Sequence, residues 1–342
     1  MRLPLSWLLA FTTAALALLL LGSLATGPMT LTLGESLRAL FAGQESGIES
    51  HKLLIVQEIR LPRTLLCIAV GGILGLCGAV MQGLFRNPLA DPGIIGVSGG
   101  AALGAALAIV LLAPLGQQLQ ATIGVGLLPL LAFLGGALTT TLVYLLGTRE
   151  GGTSVTVMLL AGVAITALSG AVIGLLTYLA DDQMLRNLSL WQMGTLAAGK
   201  PADVALALLT LVALLWLFMR DANPLNALLL GEGEARHLGV NVQSLKRRLI
   251  LLTAAGVGVA VAVAGMIGFV GLVVPHLVRL LAGPNHVRLL PLSALLGAAL
   301  LLAADMLART LLAPAELPVG IITALLGAPF FIWLLVKGRR AL

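Results

Sequence analysis

Gly194-Thr195-Leu196-Ala197-Ala198-Gly199-Lys200-Pro201 is the stretch of this sequence nearest to a phosphate-binding motif. It fills the first seven positions of G-x-x-x-x-G-K-[ST], whose backbone N–H groups cradle phosphates and whose final hydroxyl holds magnesium. The eighth position here is Pro201, which has no hydroxyl, and no strand-like run leads into Gly194. The stretch is therefore not a nucleotide site, and an energy source must come from another chain. His51, His237, His276 and His286 are dispersed and lack the paired spacing of a zinc helix. No zinc-protease motif is present, so intramembrane hydrolysis has little support. Cys67 and Cys77 fall in one apolar run, about 15 Å apart along a helix. A disulfide joins Cα atoms within about 7 Å, so both read as small core residues. Asp305 and Arg309, four apart, share a helical face. A lone charge at a membrane helix centre costs about 2.5–3.5 kcal/mol on insertion scales. These two either pair with each other or face water at a docking or pathway site.

Apolar runs must position these residues. Hydrophobic residues make up 59% of the 342, and charged ones only 10%, against about 25% in a soluble domain. The formal charge of +6 lies between apolar segments rather than on one solvated face. It is read as membrane orientation, not nucleic-acid binding. A crossing helix needs about 20 apolar residues, which places ten spans near 3–26, 60–83, 93–113, 122–146, 153–178, 203–219, 249–267, 270–282, 289–309 and 318–336. The first exceeds the about 7–15 apolar residues of a cleavable signal and is read as retained. The eighth is short.

Ten spans put both termini on one side. That side then holds thirteen of the twenty Lys and Arg, from Arg2 through Arg220, Arg236, Lys246, Arg247 and Arg248 to Arg340. The positive-inside rule makes it cytoplasmic. Glu35, Glu45, Glu49, Asp181 and Asp182 fall on the other side. Gly71–Gly75, Gly100–Gly104 and Gly170–Gly174 are small-xxx-small spacings that allow tight helix crossings. Gly78-Ala79-Val80-Met81-Gln82-Gly83-Leu84 is weakly echoed by Gly268-Phe269-Val270-Gly271-Leu272, as in inverted repeats. The expected architecture is all-α, one polytopic membrane bundle over residues 1–342.

The longest cytoplasmic connection, about 220–249, predicts two short helical pieces joined at Gly231 and closed by a cap at Gly239. Such a hairpin offers Glu232, Glu234, Ala235, Arg236 and Leu238 to the cytosol.

Several segments together resemble the permease family of type II ABC importers for ferric siderophores, haem and vitamin B12. They are Arg60-Leu61-Pro62-Arg63, Met81 through Gly93 (MQGLFRNPLADPG), Gly231-Glu232 with Ala235 through Gly239, Gly268 through His276 (GFVGLVVPH), Ala304-Asp305 with Arg309, and Glu316 through Gly320. The resemblance implies a homodimer of ten-span subunits in the bacterial inner membrane. It implies two cytoplasmic ATPase subunits, holding ATP and magnesium, that receive the loop Gly231, Glu232, Glu234, Ala235, Arg236, Leu238 and Gly239. It also implies a periplasmic binding protein whose carboxylates meet Arg60, Arg63 and Arg309. The permease itself would carry no catalytic residue, permanent cofactor or metal. Tyr178 through Gly194 looks most like haem permeases, with Met184, Arg186 and Met193 as cargo-path residues or as ordinary packing and surface. Ferric siderophore and cobalamin remain alternative cargoes, and an ion-coupled secondary transporter is the alternative class.

Overall fold

The computed structural model describes residues 4–41, 49–123, 126–149, 152–197 and 199–339. Arg2, Glu45, Ala198 and Arg340, used above, lie outside them. The helices are α1 (Leu5–Ala25), α2 (Leu33–Phe41), α3 (Ser50–Leu54), α4 (Leu61–Leu84), α5 (Val97–Val110), α6 (Ala113–Ile123), α7 (Leu127–Gly147) and α8 (Val155–Leu179). They continue as α9 (Asp182–Gln192), α10 (Pro201–Arg220), α11 (Ala222–Leu230), α12 (Glu232–His237), α13 (Val242–Ala264), α14 (Val270–Ala282), α15 (His286–Thr310) and α16 (Val319–Arg339). The α7–α8 connection pairs Thr148 with Thr153 in a two-residue antiparallel ladder. Among the described residues, seven helices are long and apolar enough to cross a membrane, and three shorter apolar ones stand at the third, eighth and tenth predicted spans.

Helix α4 is the axis of the bundle, with 89% of its most apolar window buried. Lipid tails are as apolar as leucine, so close backbone contact rather than water exclusion must hold such helices together. α4 supplies it: a Cβ on Gly71 or Gly75 would overlap the carbonyl oxygens of Gly297 and Ser293 in α15. Gly100 and Gly104 of α5 meet the α7 backbone at Gly135 and Leu131 in the same way. Gly170 and Gly174 do not behave so. Both lie open on α8, one of the least enclosed spans.

The eighth predicted span is a half-length helix. α14 has 13 residues, about 20 Å. It starts where Gly271 lies against Gly78 of α4. The two segments of the weak sequence echo thus touch, through Gly78 of the first and Gly271 of the second. α5, with 14 residues, is preceded by a 3-10 turn at Pro92–Ile95 that packs against the same Gly271. The predicted second span begins earlier than expected, because α3 runs through a π-helical stretch at Ile55–Arg60 straight into α4.

Candidate functional site

At one end of the bundle, α1, α4 and α15 bring charged side chains into the interior. Asp305 is fully buried and serves two arginines. Arg63 donates to it from Nη2 at 2.9 Å and Nε at 3.0 Å. Arg309 Nε lies 3.0 Å from its other oxygen. Arg63 Nη1 also reaches the half-exposed Glu316, at 2.6 Å. Arg309 donates to the Ser23 hydroxyl at 2.7 Å and the Thr26 carbonyl at 3.1 Å. Ser23 in turn shares a 2.7 Å bond with Thr64. Arg60 donates to the carbonyls of Leu24 and Ala25, in the last turn of α1 where intrahelical donors run out, and to that of Met29 beyond it.

The i,i+4 pairing of Asp305 and Arg309 was legible in the sequence. Arg63 as the second partner was not, because 242 residues separate it from Asp305. All three predicted docking arginines are enclosed: Arg60, Arg63 and Arg309 are 4%, 6% and 2% exposed. Each has hydrogen-bond partners within the subunit, and Arg309 Nε meets Asp305 as an ion pair without a hydrogen bond. They nevertheless line a cavity of about 220 Å³ with Gly27, Met29, Ile59 and Glu316. Beside it, Lys52 bonds Glu35 at 2.9 Å. The Lys52 ammonium, with the Thr32 backbone, lowers the exposed Glu35 carboxyl to about 2. This tie between α2 and α3 thus persists at acidities that protonate ordinary carboxylates.

At the opposite end, the predicted helical hairpin is present as α11 and α12. α11 is seated through buried Ala222, Leu225 and Leu228. Its Asn226 accepts from the His286 backbone N–H at 2.8 Å and donates to Asn285 at 3.0 Å, tying it to the start of α15. α12 ends in the predicted glycine cap: Val240 N–H donates to Ala235 and Gly239 N–H to Arg236, each at 2.9 Å. Glu234, Arg236 and Leu238 are exposed. Ala235 is not: it is fully buried beneath the helix and serves as an anchor. Glu232 is partly exposed and bonds Lys246 at 2.6 Å. The connection is also shorter than the expected 220–249, since α13 begins at Val242 and carries Lys246, Arg247 and Arg248 on its first turns.

Gly231 sets the angle between the two pieces. Its φ of 132° and ψ of 157° fall in a region that is essentially glycine-only, where another residue costs about 1–3 kcal/mol. No atom crowds the place of its Cβ, so the constraint is conformational alone. Gly231→Ala is expected to leave the bundle folded and loosen α12. Trypsin cleavage at Arg236 should rise about fivefold or more, and an unchanged rate would refute this hinge.

The predicted cargo-path residues separate. Arg186 and Met193 are exposed. Met184 packs on Ala106, Val110, Leu176 and Leu188, which is a packing role. The phosphate-loop look-alike follows helix α9 rather than a strand, and Lys200 and Pro201 simply start α10. Both cysteines are free and buried.

Comparisons with known proteins fit this geometry. The FecCD transport family pattern matches residues 15–337. The chain is 47% identical to the hemin transport system permease protein HmuU of Yersinia pestis, over 97% of this chain and 96% of that one. It is 42% identical to the vitamin B12 import system permease protein BtuC of Shigella boydii, over 98% and 96% respectively. A solved chain assigned to the metal-chelate type of ABC transporter, in an inward-facing conformation, superposes with a TM-score of 0.82 at 33% identity, covering 97% of this chain and 99% of that one.

Proposed function

The chain belongs to the FecCD transport family, and on that premise we propose that its cargo is haem, moved from periplasm to cytoplasm. It is the membrane permease subunit of an ABC importer, a transport component without an ATPase site of its own, and a multi-pass protein of the inner membrane. The observation that carries the cargo reading is the near full-length 47% identity to a hemin permease, joined by the haem-permease look of Tyr178 through Gly194. Arg186, exposed on α9, suits a propionate through a bidentate contact. Met193, partly exposed at the end of α9, offers a soft contact to a porphyrin face.

The working assembly in this reading is two copies of this chain, two ATPase subunits that bind ATP and magnesium, and a periplasmic binding protein. The exposed face of α12, with Glu234, Arg236 and Leu238 beside Gly231, Glu232 and Gly239, meets the ATPase. Both described chain ends lie at the α12 end of the bundle, which suits cytoplasmic termini. At the other end, a binding-protein carboxylate reaches Arg60, Arg63 and Arg309 through the cavity they line, where three guanidiniums face two carboxylates and keep an excess positive charge. ATP would act by favouring one of two packings, since a ligand shifts a conformational equilibrium only through its differential affinity for the two states.

The test is reconstitution in liposomes with a candidate ATPase and binding protein. ATP-dependent uptake of haem in preference to a ferric siderophore or cobalamin is expected. Preference for either alternative would replace the cargo, and uptake without ATP would overturn the importer assembly.

A further inference from the structure

Lys246 is a lysine where lysines seldom are. Its side chain is only 3% exposed, and buried lysines occur almost only when paired. Here the ammonium joins two elements that do not otherwise share a bond through it. Nζ donates to Glu232 Oε1 at 2.6 Å and to the Thr153 carbonyl at 3.0 Å. Glu232 is the first residue of α12. Thr153 is the last residue but one before α8, whose N-terminal cap is Ser154.

The neighbouring geometry makes this contact a rigid one. Gln243, one turn earlier on α13, accepts the Thr153 N–H at 3.1 Å. Both backbone groups of Thr153 are therefore held by α13, and the ladder Thr148–Thr153 returns that hold to the end of α7. Gly152 lies so close to Gln243 that a Cβ there would overlap its amide. Away from this point α8 is largely unenclosed within the subunit, with 17% of its most apolar window buried. Its head is fixed, while along its length one face packs on α5 and α7 and the other stays open.

We propose that Lys246 is a positioning residue that transmits movement of α12 to the head of α8. This rests on the reading of α12 as the element that meets the ATPase. A displacement of α12 pulls on Glu232, and the ammonium passes it to the Thr153 carbonyl at the start of a transmembrane helix. Removing the ammonium does more than delete a bond. It leaves a carboxylate and a carbonyl facing one another, both acceptors, so the two elements would part.

The experiment uses the full complex in liposomes, with cargo import, ATP hydrolysis and one added readout. A spin label at Thr156, exposed on the first turn of α8, reports the distance between the two copies with and without trapped ATP. Lys246→Met is expected to hydrolyse ATP within about twofold of the wild type. Its import per ATP should fall about tenfold, and the ATP-driven change in label distance should disappear. Lys246→Arg, which keeps a charged donor, should restore both. If Lys246→Met does not assemble, Lys246→Gln serves, since its amide is too short to span both acceptors and should uncouple likewise. Import at the wild-type ATP stoichiometry in the neutral variant would overturn the relay. A wild-type complex whose labels ignore ATP would overturn the reading of α12, and the relay with it.

Discussion

Asp305→Ala is expected to lower the stability of the subunit by about 3–5 kcal/mol, the loss typical of a buried ion pair stripped of one partner. The reason is the sharing of one carboxylate. Asp305 is the counter-charge of Arg309 and the principal partner of Arg63, and all three side chains are enclosed. Alanine leaves two guanidiniums with Glu316, Ser23 and backbone carbonyls, and with no fully buried anion. Guanidinium cannot escape by losing its proton. Asp305→Asn should be milder, because the amide oxygen still accepts from Arg63 while the charge is gone. Denaturant-driven unfolding of the purified subunit measures both. An alanine variant within about 1 kcal/mol of the wild type would show that water, rather than Asp305, satisfies these arginines. The same geometry constrains docking tests at this end. Reversing Arg63 to Glu would place three carboxylates together and damage the fold as well as any contact with a binding protein.

Gly78→Leu is the second large effect, expected to exceed about 4 kcal/mol and to abolish recovery of monodisperse protein. An ideal Cβ on Gly78 would overlap the Gly271 carbonyl, and the obstacle is backbone on both sides. A flexible side chain can turn away, but the first turn of α14 cannot without leaving α4. That contact sets where the half-length helix begins. Gly174→Leu is the matched control, since nothing lies within 4 Å of its Cβ position. It should leave the subunit folded. Equal yields for the two variants would show that α14 is not held by this crossing.

Much of the architecture was legible before any coordinates, because the bilayer requires it. About 20 apolar residues per crossing and basic residues between them are local properties of the chain. The ten apolar segments appear as helices close to their predicted places, including the short eighth. The α11–α12 hairpin was legible for a similar reason: Gly231 and Gly239 are needed at positive φ, and the demand is met within a few residues. So was the Asp305–Arg309 pair, which helix periodicity alone brings together.

What the tertiary structure decided is everything that depends on distant chain segments meeting. Glycine spacing flagged Gly71–Gly75 and Gly170–Gly174 alike, yet one pair receives the backbone of α15 and the other stands open. Composition could not separate them, since a small residue permits a close crossing without supplying the neighbour. The family resemblance marks Arg60, Arg63 and Arg309 as docking cations, and nothing in their spacing shows how far they are enclosed. Folding turned them toward Asp305 and the carbonyls closing α1, where desolvated charge must find partners. Ala235 looked like part of an exposed loop and is an anchor, while Lys246 looked like one of three basic residues marking the cytoplasmic side. Charge type and position along the chain fixed the side of the membrane expected for Lys246. Only the approach of Glu232 and Thr153, 14 and 93 residues away, made it a buried tie, because a lysine can be enclosed only where acceptors from other segments replace water.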